Sequence, residues 1–336
     1  MAWRIHLSER PIRRIDMLPG KPSILSAWTG ADQVTFLDLQ TGAKRGEKTL
    51  DKIDPTERTT ETWSAFMDGL TASNGVYLPS VRAGSATILT TPDGTIRLIR
   101  VGTRALFYAN KGIETVLPID ENVQTFAAVD MDRTLGLVAA LDDAGKLHLY
   151  QQNVKIMTID TGLVIEPEQR PDVAVVNNGA SIFVTDGKQI IAYGANGTLR
   201  RRIELYYSFG AIRASADGKL LVITDLDANV IRIYNGDTLT PTHQRFGVDL
   251  LADAKRVQVT PGPTTPSGAL GALAVNTRGV VAFSVGGSLC VTNLARFKPL
   301  PGIAPVEEDE EDLKALDNAA SFFPEKPSDA QTTVNS

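Results

Sequence analysis

Apolar residues recur along this chain in short runs closed by turn-formers, rather than at the 3.6-residue spacing of helices. Val173–Gly179, Ala180–Gly187, Lys188–Gly197 and Thr198–Leu205 show the pattern most clearly: four alternating or apolar runs, each but the last closed by Asn, Asp or Gly. Runs of this length with this punctuation predict antiparallel strands joined by tight hairpins. The same grammar returns in 126–160 and in 212–235. It recurs in 86–119, and also marks a first unit over 12–50 and a last one over 273–293. Taking the third strand of each unit as the anchor, the units begin at Val34, Ala105, Leu147, Ile190, Ile231 and Leu289. Three successive spacings of 42, 43 and 41 residues match the length of a four-stranded propeller blade. A sandwich has no reason to hold so constant a period. The prediction is an all-β chain, a β-propeller of six or seven four-stranded blades.

The first spacing, 71 residues, exceeds one blade. Part of the excess reads as a helical insertion at about 55–73, where Trp63, Phe66, Met67 and Leu70 stand at i, i+3, i+4 and i+7 and Asn74-Gly75 stops the pattern. Six blades plus this insertion fit the spacing, and seven with one irregular blade fit it nearly as well. The last unit lacks a convincing fourth strand after Asn293, while Trp3–Ser8 stands unassigned before the first. These two facts predict that the N-terminal strand completes the last blade, because ring closure removes exposed sheet edges.

At two turns the chain resembles a known family. Ser215-Ala-Asp-Gly218 and Thr91-Pro-Asp-Gly94 are similar to the Ser-Pro-Asp-Gly turn between the first and second strands of WD40-like (YVTN-type) β-propeller repeats. Phe36-Leu-Asp38, Leu149-Tyr-Gln151 and Ile233-Tyr-Asn235 stand where that superfamily places its Trp-Asp pair. The pair is degenerate and the Gly-His element is missing, so the resemblance, over roughly residues 3–300, is to the broad superfamily. It implies the fold and says almost nothing of activity.

Composition changes at Pro305. Residues 305–336 carry nine acids and two lysines, a net charge of −7, whereas the whole chain is −5, so 1–304 is close to neutral at +2. The expected organisation is a propeller over 1–304 and an acidic tail over 305–336, too polar to offset its ordering entropy. Within the tail, 312–323 has the pattern of a short helix: Leu313, Leu316, Ala320 and Phe323 share a face, and Phe322 adjoins it. The chain begins without the apolar core of a secretory signal, has no run of about 20 apolar residues to span a bilayer, and carries one cysteine, Cys290. The expectation is a cytoplasmic protein without a membrane partner.

The search for chemistry returns mostly exclusions. His6, His148 and His243 fall in three separate units, and no Cys or His pair has metal-ligand spacing, so no metal site is expected. There is no phosphate loop or nucleophile elbow. Asp142-Asp143-Ala-Gly145 and Asp225-Leu-Asp-Ala-Asn229 look like fragments of calcium loops but lack the later Glu and fall at hairpins, where Asx turns account for them. Arginines stand out: Arg13-Arg14, Arg97, Arg100, Arg104, and Arg200-Arg201-Arg202 on a predicted outer strand. Without aromatics interleaved among the basic residues, a nucleic-acid partner is not the expectation.

The expected function is a non-enzymatic protein–protein interaction scaffold, a monomeric propeller that docks protein partners on its face and through its tail. No catalytic residues and no cofactor are expected. The residues chosen for partner contact are Trp63, Phe66, Arg200, Arg201, Arg202, Leu316, Phe322 and Phe323. Arginine and aromatic side chains dominate interface energetics. The alternative is a small-ligand-binding or enzymatic propeller, quinoprotein-like or lyase-type, working at the channel mouth. The three tryptophans and three scattered histidines do little to furnish one.

Overall fold

The computed structural model describes residues 2–17, 24–29, 33–49, 86–90, 96–101, 105–110, 113–118, 123, 126–132, 136–151, 154–166, 171–176, 180–257 and 270–300. Within them the chain forms six sheets. The first blade is β2 (Ile12–Met17), β3 (Ile24–Thr29), β4 (Gln33–Asp38) and β5 (Lys44–Thr49). The second is β6 (Ala86–Thr90), β7 (Ile96–Val101), β8 (Ala105–Asn110) and β9 (Ile113–Val116). The third is β10 (Phe126–Met131), β11 (Leu137–Asp142), β12 (Lys146–Gln151) and β13 (Val154–Asp160). The fourth is β14 (Asp172–Val175), β15 (Ser181–Thr185), β16 (Gln189–Gly194) and β17 (Leu199–Glu204). In the fifth, β18 (Phe209–Ala214), β19 (Leu220–Asp225), β20 (Val230–Asn235) and β21 (Pro241–Phe246) are joined by a short fifth strand, β26 (Lys298–Pro299).

The sixth blade closes the ring as the sequence predicts. Its strands β23 (Leu270–Val275), β24 (Val280–Val285) and β25 (Ser288–Asn293) come from the end of the chain, and its fourth, β1 (Trp3–His6), comes from the beginning. β1 pairs antiparallel with β25, from Trp3 opposite Val291 to His6 opposite Ser288. A two-residue strand, β22 (Lys255–Arg256), then covers β1 on its outer side. Lys298–Pro299 joins the fifth blade instead, where Pro299 faces His243 across the edge of β21. Between blades five and six lies one short helix, α1 (Gly247–Ala252), which packs Leu250 and Leu251 into the core. The helical insertion expected at 55–73, the tail and its helix at 312–323 lie outside the described residues.

The core sits between blades, and this explains the strand patterns. One cluster joins Trp3, Ile5, Leu289 and Val291 of the last blade to Ile15, Leu25 and Leu37 of the first. Others join blades three to four, four to five, and five to six. A middle strand sandwiched in this way is buried on both faces, so β11 and β15 are buried at every position and read as continuous apolar runs. The outer strand β13 has one covered face and therefore alternates exposed with half-buried residues. First strands line up around the axis, β10 against β14, β14 against β18, β18 against β23 and β23 against β2.

Candidate interaction face

Among the described residues, four blade-to-blade crossings are held by the turn between the second and third strands of the blade just completed. Asp142 Oδ1 accepts the N–H groups of Ala144 and Lys146. Asp186 Oδ1 does the same for Lys188 and Gln189, and Asp225 Oδ1 for Ala228. These are the Asx turns expected at the calcium-like fragments. The turn then needs a left-handed residue, supplied by Gly145, Gly187, Asn229 and Gly286 at equivalent positions (φ between 53° and 99°). In that conformation their carbonyls point at the departing chain. Gly145 O accepts from Thr161 N, Gly187 O from Phe209 N, Asn229 O from Gly247 N, and Gly286 O from Ile12 N. The periodic Gly and Asn residues of the sequence are thus the positions that tie the blades together.

Two of these aspartates serve a second purpose. Asp142 Oδ2 lies 2.7 Å from His148 Nε2 in β12, with both side chains buried. Thr158 Oγ1 meets the other ring nitrogen at 3.3 Å, and Phe126 packs edge-on. At the matching place in blade five, Asp225 Oδ2 binds Arg232 of β20 at 2.8 and 3.2 Å. Arg232 stacks on the ring of Tyr207, 4.6 Å from its centre, and Tyr207 and Tyr234 share a hydroxyl hydrogen bond. Burial, and then that bond, push the Tyr207 hydroxyl well above its ordinary range, so it stays neutral. The network pins Tyr207 on the crossing from blade four to five.

Pinning these crossings leaves their neighbours projecting from one end of the strands. Tyr206, beside Tyr207, is fully exposed at 105%. Val164 on the crossing from blade three to four is 69% exposed, and Phe246 and Val248 on that from five to six are 52% and 58%. Exposed Asp160, Glu166, Asp227 and Asp249 stand among them, with Lys188 paired to Glu166 at 3.8 Å. Exposed apolar side chains on three successive crossings, with exposed carboxylates near them in the chain, make this end of the strands the candidate interaction face. Sequence reasoning missed these four residues. Each adjoins the end of a fourth strand, and the available signal was a large apolar side chain where a polar turn residue is usual.

The strands nearest the axis are cross-braced. Asp130 Oδ2 accepts from Val175 N of the next blade, and Asp172 Oδ2 from Ile212 N and, at 2.5 Å, from Arg213. At the opposite end of the strands, Ser215-Ala-Asp-Gly218 forms the tight turn its resemblance implies. Ser215 Oγ donates to Asp217 and accepts from Leu220 N. Thr91-Pro-Asp-Gly94 lies outside the described residues. Asp38 and Asn235, in the degenerate Trp-Asp positions, cap equivalent turns between third and fourth strands. Asp38 Oδ1 accepts from Gln40 and Thr41, and Asn235 Oδ1 from Asp237 and Thr238. The Arg45 guanidinium, and then the Thr41 N–H, hold the Asp38 carboxyl down at about 2.

Of the residues selected from sequence, Arg200, Arg201 and Arg202 lie on β17, all exposed. Arg200 reaches Ser181 Oγ at 2.9 Å, and Arg202 reaches Gln189 Oε1 at 2.8 Å and Gly162 O at 3.4 Å. Trp63, Phe66, Leu316, Phe322 and Phe323 lie outside the described residues, as does Arg104. Among the described residues no group of three or more His, Cys, Asp or Glu is arranged to hold a metal, and no helix is long and apolar enough to cross a membrane.

No protein-family model matches the chain, and no curated protein matches it in sequence. Solved structures do match. The β-propeller domain of Cps50 (Swd1) from Myceliophteria thermophila superposes with a TM-score of 0.52 at 10% identity, over 84% of this chain and 83% of that one. Raptor from Chaetomium thermophilum gives 0.60 at 7% identity over 89% of this chain, which spans only 29% of Raptor's length. At these identities the likeness is one of fold. The chain has the β-propeller fold.

Proposed function

We propose that this propeller is a non-enzymatic scaffold that docks a protein partner on the face carrying Val164, Tyr206, Phe246 and Val248. The observation that carries the reading is their placement. Four large apolar side chains are exposed on three consecutive crossings whose backbones are rigidly latched, so a partner meets a pre-ordered surface and little ordering entropy opposes docking. The carboxylates around them favour a partner that brings basic groups to the rim. The acidic tail, with Leu316, Phe322 and Phe323, supplies a second and tethered contact, and the insertion with Trp63 and Phe66 a third surface. A monomeric protein of the cytoplasm fits the single buried thiol, Cys290, whose pKa burial pushes up to about 12 and which is therefore inert. A photocrosslinking side chain placed at Val164, Tyr206 or Val248 should trap one discrete partner in cells. The same group at Asp217 or Arg278, on the turns at the other end of the strands, should not. Equal trapping from both ends would overturn the assignment of the face.

A further inference from the structure

The fold treats its outer edges unequally. In blade five the edge of β21 is covered by β26, with Leu300 N donating to Thr242 O at 2.9 Å. In blade six the edge of β1 is covered by β22. In blade one the edge strand β5 carries both signs of charge and uses them internally, Lys44 with Glu47 and Arg45 with Asp38. Among the described residues, β17 has no further strand beside it, and its charge is mostly of one sign: Arg200, Arg201 and Arg202, with Glu204 at the end.

Its backbone is also poised. Leu205 N donates to Lys188 O at 2.8 Å, and the register sets Glu204 opposite Gln189, Ile203 opposite Ile190 and Arg202 opposite Ile191. An antiparallel ladder alternates bonded and non-bonded pairs, so the N–H and C=O groups of Arg202 and Glu204 turn away from β16 toward the open edge. The side chains alternate as well. They do so from Arg201 to Glu204, but a bulge lies between Leu199 and Arg201: Arg202 is anchored to Gln189 on one face and Arg200 to Ser181 on the other, and each guanidinium keeps donors to spare. Leu199, 60% exposed, shares the face of Arg202, while Arg201 and Ile203 share the other, and Arg201 has no hydrogen-bonding or ionic partner among the described residues.

We propose that the edge of β17 receives an extended acidic segment of a partner protein as a fifth strand of its sheet. Carboxylates of that segment lie beside Arg202, and its apolar residues lie beside Ile203 on the opposite face. The backbone supplies affinity, as in other strand additions, and Arg202 supplies selection. Opposite charges on adjacent strands attract, and like charges repel. Blades five and six show that the outer edges of this fold accept an added strand.

The test uses the full chain and a fluorescein-labelled heptapeptide alternating glutamate with valine. Saturable binding by anisotropy is expected, weakened about tenfold or more when lysine replaces glutamate or when Arg202→Glu is introduced. N-methylation of alternate peptide nitrogens should weaken binding at least as much, because it deletes strand-to-strand hydrogen bonds while leaving the protein untouched. On binding, amide exchange should slow at Arg202 and Glu204 above all. The Val164→Asp/Tyr206→Ala/Val248→Asp variant should bind the peptide normally, so failure of the docking face and failure of the edge are separable. Undiminished binding of the N-methylated peptide, or no slowing at Arg202 and Glu204, overturns the proposal.

Discussion

Replacing Trp3 with alanine tests how the ring is closed. Trp3 is 3% exposed and belongs to the strand that completes the last blade, but its indole serves the first: Nε1 donates to Leu39 O at 2.9 Å. The ring also fills the space above Gly42, where an added Cβ would stand 2.9 Å from it. Truncating a buried tryptophan to alanine costs about 4 kcal/mol. The lost hydrogen bond adds about 0.5 kcal/mol once solvent exchange is allowed for. For the 300 residues of the propeller unit, an unfolding entropy of about 2.1 cal/mol/K per residue gives about 0.6 kcal/mol/K. The melting temperature should therefore fall by about 7 °C in scanning calorimetry. Trp3→Phe keeps most of the ring and loses the donor, so about 2–3 °C is expected. Amide exchange should quicken on both sides of the seam, in β25 and in the turn after β4. A fall of less than about 1 °C for Trp3→Ala, or faster exchange confined to β1, would refute closure through this side chain.

Other consequences follow from the turns. Gly145→Ala places a Cβ 2.1 Å from Leu163 O at a φ of +76°, so it should destabilise by about 3 kcal/mol or more. Gly46→Ala, whose nearest neighbour is 3.9 Å away, should stay within about 1 kcal/mol in the same denaturant titration. Asp142→Ala strips two backbone N–H groups and the buried His148 of their acceptor, and about 3 kcal/mol should be lost. Because the Asp38 carboxyl titrates lower when folded than when unfolded, its contribution is complete above about pH 4 and lost as pH falls toward 2. Asp38→Asn should flatten that part of the stability–pH curve, and an unchanged slope would show that Arg45 does not act through it.

The blade grammar was legible because burial and turn chemistry both leave marks in one dimension. A strand sandwiched between blades must be apolar throughout, and β11 and β15 are. A left-handed turn residue is most often Gly or Asn, and Gly145, Gly187, Asn229 and Gly286 recur accordingly. The fourth strand of blade five was not legible. β21 starts at Pro241 and carries Thr, His, Gln and Arg, half-buried from Pro241 to Arg245, so nothing alternates strongly. Nor were the two added edge strands, since two residues such as Lys298–Pro299 have no periodicity.

The proposed face was hidden for a different reason. Whether Val164 or Tyr206 is core or surface depends on how a crossing is pinned, here by Tyr207, Arg232 and Asp225, which are drawn together only by folding. The exposed placement of Arg200–Arg202 was readable, because an outer strand follows from its order in the blade. What the arginines hold required the register.

The central claim, that the face at the blade crossings docks a protein, is tested most directly by quantitative affinity purification. The full chain is compared with its Val164→Asp/Tyr206→Ala/Val248→Asp variant, matched for melting temperature. Docking on this face predicts a stoichiometric partner that co-purifies with the native chain and falls about tenfold or more with the variant. Equal recovery of that partner with both would contradict the account.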